Sequence, residues 1–252
     1  MSRRRHRRRD PSAHTGAAHA AAPPRFAAID GLRGFAICLM LVYHFAFDLT
    51  WFRVIGADFN NDALWLGFRA VIVTLFLALV GVSLVLARRA SRRDFWRRIA
   101  LIAACAALVS VASYVTFPQT FITFGILHCI AVSSVLARPL VDFPRIALLA
   151  GIAIVALGNA VHLPLFDSPW LNWIGMMTHK PATEDYVPLA PWAGFVLVGI
   201  ALGQPLARRA WRPLAPLANA PRWLRFLGRH SLFVYMIHQP ILLGVLWLIA
   251  AR

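Results

Sequence analysis

Asp30-Gly31-Leu32-Arg33-Gly34 runs straight into the apolar segment Phe35–Trp51, and the architecture of the whole chain turns on this stretch. A charged pair opens the segment, and inside it stand His44 and Asp48. As a helix the segment is about 25 Å long, close to the roughly 30 Å of a bilayer's hydrocarbon core. His44 lies eleven residues beyond Arg33, so about 16 Å deeper along the axis. Asp48 follows one turn later on the same face. An ionisable group at that depth costs about 2.5–3.5 kcal/mol on insertion scales, which points to a polar cavity with a task. The plainer reading is a neutral histidine bonded to a neighbouring helix.

The rest of the chain has the same character. Of 252 residues, 60% are hydrophobic and 14% charged, more apolar than the roughly 45–50% of soluble domains. Seven apolar runs fall at about 33–51, 64–87, 98–116, 121–137, 145–162, 189–207 and 231–250. Backbone in lipid must satisfy its own hydrogen bonds, so continuous runs of this kind predict helices rather than a barrel. The expected fold is an all-α integral membrane protein, a polytopic bundle of about seven transmembrane helices. Residues 1–24, rich in Arg, Ala and Pro, read as a disordered basic tail, and 25–252 as one membrane domain. No apolar stretch follows the first arginines at the usual distance, so a cleavable signal is not expected.

The net charge of +16 suggests nucleic acid until its placement is considered. Arginines fill the tail and the segments after the second, fourth and sixth runs, whereas the alternate loops hold only Arg53 and Lys180. Basic residues confined to every other loop are a topology signal, so no nucleic-acid partner is expected. They predict a cytoplasmic N-terminus, and the expected location is the inner membrane. Cys38, Cys105 and Cys129 all sit in apolar runs without C-x-x-C spacing, as small packing residues do.

Two more histidines lie inside runs. His128 follows Ile122–Leu127, and His238 closes a polar stripe with Ser231 and Tyr235 at i, i+4 and i+7. Pro240 frees a carbonyl near His238. Three histidines from three helices suggest one shared cavity. No H-x-x-x-H pair is present, so no metal site is expected. The loop Leu163–Pro188 is long and polar, as functional loops often are. Its Trp170 and Trp173 suit interfacial anchoring, and Glu184 and Asp185 either acidify a cavity mouth or are solvated. Arg69, inside the second run, has Asp48 or Asp62 as candidate partners. Gly31 and Gly34 suggest close backbone approach to a neighbour. Gly81 and Ser83 read as small contact residues.

These blocks resemble a known family. Ile29–Ala36 with His44, Phe124–His128, Thr178–Pro188, Pro191-Trp192 and Gly228–Pro240 are similar, in order, to the heparan-α-glucosaminide N-acetyltransferase catalytic-domain family, especially its bacterial members. An arginine–histidine first helix is shared more widely with acyltransferase-3 type membrane proteins. The resemblance implies transfer of an acetyl group from cytoplasmic acetyl-CoA, or a similar acyl-CoA, to a sugar or other cell-envelope acceptor outside. It implies acyl-CoA as a co-substrate and no bound cofactor; a homo-oligomer is left open. The eukaryotic enzyme has more spans and acts on heparan sulfate, so its acceptor does not carry over.

On that reading His44 is the base, with Asp48 to orient it or raise its basicity. Arg33, with Asp30 beside it, attracts the phosphates of coenzyme A. His128, Tyr235, His238, Trp192 and Asp185 line the acceptor's path. Direct transfer and an acetyl-histidine intermediate both fit. The rival function is a proton-coupled transporter without transferase activity, since buried histidines and carboxylates also make relays. No internal repeat supports it.

Overall fold

A computed structural model describes residues 27–250. The basic tail and the final two residues lie outside the described residues. Eight α-helices follow in order: α1 Ala27–Trp51, α2 Ala63–Leu86, α3 Arg92–Thr116, α4 Ile126–Ala137, α5 Pro144–Ala160, α6 Leu189–Arg208, α7 Arg222–Arg229 and α8 Ser231–Ala250. Short 3-10 turns at Arg138–Leu140, Pro164–Asp167, Asn172–Ile174 and Arg212–Asn219 join them. No strand occurs among the described residues.

Helices α1, α2, α3, α6 and α8 are long and apolar enough to cross a membrane. The apolar helices α4 and α5 are shorter, at 12 and 17 residues. The fourth run is helical only from Ile126, not from residue 121. Residues before it bond to the long loop instead: Val187 N–H donates to Phe124 O at 3.2 Å and Thr183 Oγ1 to Phe121 O at 2.8 Å. Irregular backbone of this kind is tolerated where protein, not lipid, surrounds it.

Helix α6 is the hub, packing along both α2 and α5. Glycines allow it. A Cβ at Gly81 would overlap the Val196 carbonyl, and one at Gly199 the Ala78 carbonyl. The two backbones therefore touch, which is how membrane helices gain dispersion contact without a hydrophobic drive. Leu77, Val85, Val196 and Ile200 fill the resulting core with almost no exposure. On the periphery, Val42, Leu101, Leu108, Leu149, Phe233 and Val245 are exposed. Large aliphatic and aromatic residues turned outward along apolar helices are what a lipid surround favours.

The basic segment after α6 is more than a loop. It forms the 3-10 turn Arg212–Asn219 and the short helix α7, both packed on the start of α1. Gly34 meets the Leu224 carbonyl and Gly228 the Asp30 carbonyl, each where a Cβ would overlap. Gly31 faces Ala220 and Leu217. The close approach expected of the Gly31–Gly34 pair is thus real, and its partner is the arginine-rich segment. Helix α1 is described from Ala27, with Asp30 in its first described turn and Arg33 in the next.

Candidate functional site

Three polar clusters are built on this frame. The first is at the arginine-rich end. Asp30 is 5% exposed, and its Oδ1 lies 3.4 Å from Arg33 Nη1. Arg33 Nη2 donates to Ser83 Oγ at 2.6 Å, and Ser83 in turn donates to the Leu79 carbonyl. Ser83 thus has a polar role, fixing the Arg33 side chain across the α1–α2 interface. Nothing in the sequence distinguishes Ser83 from any other small residue of an apolar helix.

The second cluster lies where α1 meets α8. The rings of His44 and His238 stand edge to face, 4.7 Å between centroids and 85° between planes. His44 Nδ1 is 3.0 Å from the Met40 carbonyl, and His238 Nδ1 is 2.5 Å from the Tyr235 carbonyl. A carbonyl can only accept, so Nδ1 carries the proton in both neutral rings and Nε2 keeps its lone pair. One turn further along α1, Asp48 is 1% exposed. Gln239 Nε2 donates to its Oδ1 at 2.6 Å. Sequence spacing offers Asp48 either His44 or Arg69 as a partner; the structure supplies Gln239, the residue after His238. Asp48 Oδ2, His238 Nε2 and Gln239 Oε1 are all buried without a hydrogen-bond partner among the described residues. Leaving such atoms unpaired costs about 1–3 kcal/mol each, so three in one place make this cluster the candidate site.

The third cluster is towards the other end. The charge of Arg69 acts on Tyr43 and Asp185, and among the described residues it makes no ion pair with Asp62 or Asp48. Asp62 is instead the N-cap of α2, accepting from Leu64 N–H at 2.8 Å. Asp185 caps α4, its Oδ2 accepting from Ile126 N–H at 2.8 Å. Burial pushes the Asp185 carboxyl up, opposed by that hydrogen bond, by Arg69 and by Lys180. Asp185 also acts electrostatically on Tyr43 and Tyr235, so it is coupled to the interior and is not merely solvated. Glu184, by contrast, is exposed and takes Thr120 Oγ1 at 2.6 Å.

His128 does not join the other two histidines. Its Nδ1 accepts from Gly125 N–H at 3.2 Å, which leaves Nε2–H to face Ser110 Oγ at 3.4 Å. Ser110 directs its own proton to the Ile122 carbonyl at 2.6 Å. One ring nitrogen holds the start of α4 and the other faces α3. Among the described residues no three His, Cys, Asp or Glu side chains converge as metal ligands would. Trp192 is half-buried against Phe195, 5.8 Å between centroids, at the margin of the main core. Two cavities open at the arginine-rich end, lined by residues such as Trp211 and Arg212 or Arg92 and Trp96. Neither is lined by the residues expected along the acceptor path.

Fold and site together define a multi-pass, all-helical membrane protein with a buried polar centre between its first and last helices. The chain belongs to the heparan-α-glucosaminide N-acetyltransferase catalytic family, whose model matches residues 25–240. Its class is therefore that of membrane acetyltransferases. No curated protein and no solved structure matches the chain.

Sequence reasoning passes over Gln239, Tyr43 and Ser110 as site residues. Gln239 carries a usable signal, because an amide in mid-span needs a partner.

Proposed function

We propose that the protein moves an acetyl or other acyl group from an acyl-CoA at the arginine-rich face to a sugar or other cell-envelope acceptor across the inner membrane. The positive-inside rule makes the arginine-rich face cytoplasmic. The observation that carries this reading is the contact of His44 with His238, 4.7 Å between ring centroids, with Asp48 and Gln239 joined one turn away.

The chemistry follows from the tautomers. His44 Nε2 has a lone pair and takes the proton as the acceptor's amine or hydroxyl attacks the thioester carbonyl. The new bond to the carbonyl carbon forms and the oxygen gains negative charge. When that oxyanion collapses the C–S bond breaks, and the departing thiolate receives the proton that His44 holds. Asp48 lies on the same helix face and favours the transient imidazolium through its field, while Gln239 fixes the carboxylate. The Tyr235 hydroxyl is suited to donate to the oxyanion. Arg33, set by Asp30 and Ser83, presents charge to the coenzyme A phosphates. His128, Trp192 and Asp185 then serve the acceptor side as supports.

A proton-coupled transporter draws on the same atoms, because unpaired buried carboxylate and imidazole groups also relay protons. One experiment separates the readings. Purified protein is incubated with radiolabelled acetyl-CoA and candidate envelope sugars. Label moving to a sugar supports the transferase. Absence of both label transfer and coenzyme A binding overturns it in favour of transport.

A further inference from the structure

A second feature of the arginine-rich face has no part in that chemistry. Between the first turns of α3 and the end of α4 lies a cavity of about 310 Å³, lined by Arg92, Phe95, Trp96, Val135, Arg138 and Pro139. Arg138 is held in its wall. Its guanidinium carbon sits 5.0 Å from the centroid of the Phe95 ring, and Nη2 donates to the Arg88 carbonyl at 3.4 Å. A cation over an aromatic face is attracted by the ring quadrupole. Arg92 stands exposed across the cavity. The nearby carboxylate, Asp94, is occupied by Ser91 Oγ at 2.7 Å. Among the described residues neither Arg92 nor Arg138 has an acidic partner within salt-bridge distance.

The surroundings say what such a pair would hold. Trp96 is 46% exposed at the level of the arginines, where tryptophan marks the boundary between headgroups and hydrocarbon. Leu101 and Leu108 further along α3, and Leu136 on α4, are exposed. A ligand suited to this place has an anionic head and apolar tails. Basic pockets between membrane helices on the headgroup side take phosphate-bearing lipids.

We infer that this cavity is a headgroup site for an anionic phospholipid, with the phosphate between Arg92 and Arg138, the glycerol against Trp96 and the acyl chains along α3 and α4. Such a site stands whether or not the protein is a transferase.

Native mass spectrometry tests it on the purified full-length chain. The protein, in detergent with phosphatidylcholine, is titrated with phosphatidylglycerol. The wild type should retain one phosphatidylglycerol per chain in preference to phosphatidylcholine. Arg92→Gln and Arg138→Gln should each weaken retention about fivefold, and together about 30-fold, at about 1 kcal/mol per arginine. Arg208→Gln with Arg209→Gln, elsewhere on the same basic face, should change nothing. Arg92 is exposed, so its variant reports on binding even if Arg138→Gln folds poorly. Equal binding of phosphatidylcholine, unchanged binding by Arg92→Gln, or an equal loss in the Arg208/Arg209 control overturns the proposal. Displacement of the lipid by adenosine 3′,5′-bisphosphate also overturns it, and assigns the cavity to a nucleotide.

Discussion

His128 and the His44–His238 pair put the same side chain to opposite uses. His128 accepts from one backbone N–H at the start of α4 and faces a serine of α3, so each ring nitrogen is committed to the fold. His44 and His238 each anchor one nitrogen on a carbonyl of their own helix, and their rings meet across an interface. Both arrangements stand among apolar helices, and a count of intramembrane histidines treats them alike. What differs is the edge left for chemistry. A ring with both nitrogens bonded to the fold is a structural part, whereas a fixed ring whose Nε2 keeps its lone pair is the base of the proposed mechanism.

Removing each ring in turn puts this contrast at greatest risk. His44→Ala should lower acyl transfer by about 10²–10⁴-fold, the usual worth of a positioned general base. Membrane insertion and helix content should be unchanged. His238→Ala should fall in the same range if the two rings act together. Should His128→Ala abolish transfer while the protein stays folded, the division between structural and chemical histidines is wrong.

Gln239→Leu refines the chemical half. It removes the donor to buried Asp48, a hydrogen bond to a charged group worth about 1.5–3 kcal/mol. Transfer rate and thermal stability should both drop. Gln239→Asn keeps the amide but is one methylene shorter, so it should recover neither in full. Normal activity in Gln239→Leu would show that Asp48 plays no part near His44.

His128→Ala probes the structural half. Losing the bond from Gly125 N–H should cost about 1 kcal/mol of stability. Hydrogen exchange at Gly125 should quicken, with transfer retained within a few-fold. Asp185→Asn is informative beside it, since Asp185 supplies the other contact at that helix start.

The smallest effect is expected at the rim, where His179 lies 3.6 Å from Asp167 and is largely exposed. Here the carboxylate matters more than the ring. The hydroxyl of Thr178, at 2.7 Å, is the main cause holding the Asp167 carboxyl below its ordinary value. A lowered carboxyl stabilises the fold above its unfolded value near 3.8, and that contribution is lost as pH falls through the lower folded value. The protection factor of the Thr178 amide, taken against its intrinsic exchange rate at each pH, should therefore fall only in acid. Asp167→Asn should remove the pH dependence, and a variant that keeps it would place the titration elsewhere.

Much of the fold is legible in the residue order. Unbroken apolar runs predict helices because lipid offers the backbone no other partner, and all seven runs contain one. Depth along a helix is residue number times rise, so His44, Asp48 and His238 can be recognised as interior. Helix ends are less legible. The charged first turns of α3 and α1 lie outside any apolar window, and the segment 121–125 is apolar yet bonds to a loop. The α7 segment reads as an ordinary basic loop, because the glycine contacts that seat it on α1 come from far along the chain.

Residue order alone is enough to make this a helical membrane protein of one family, with its arginines on alternate loops and ionisable groups placed within its spans. Which of those groups meet is a matter for the packed bundle: Asp48 with Gln239, Arg33 with Ser83, His44 with His238, and His128 with none of them. The reason is geometric. Helical periodicity fixes neighbours within a helix at i+3 and i+4, but a contact between helices depends on the rotation and tilt of each one. Those are set by packing over the whole bundle, here by glycines that bring backbones together.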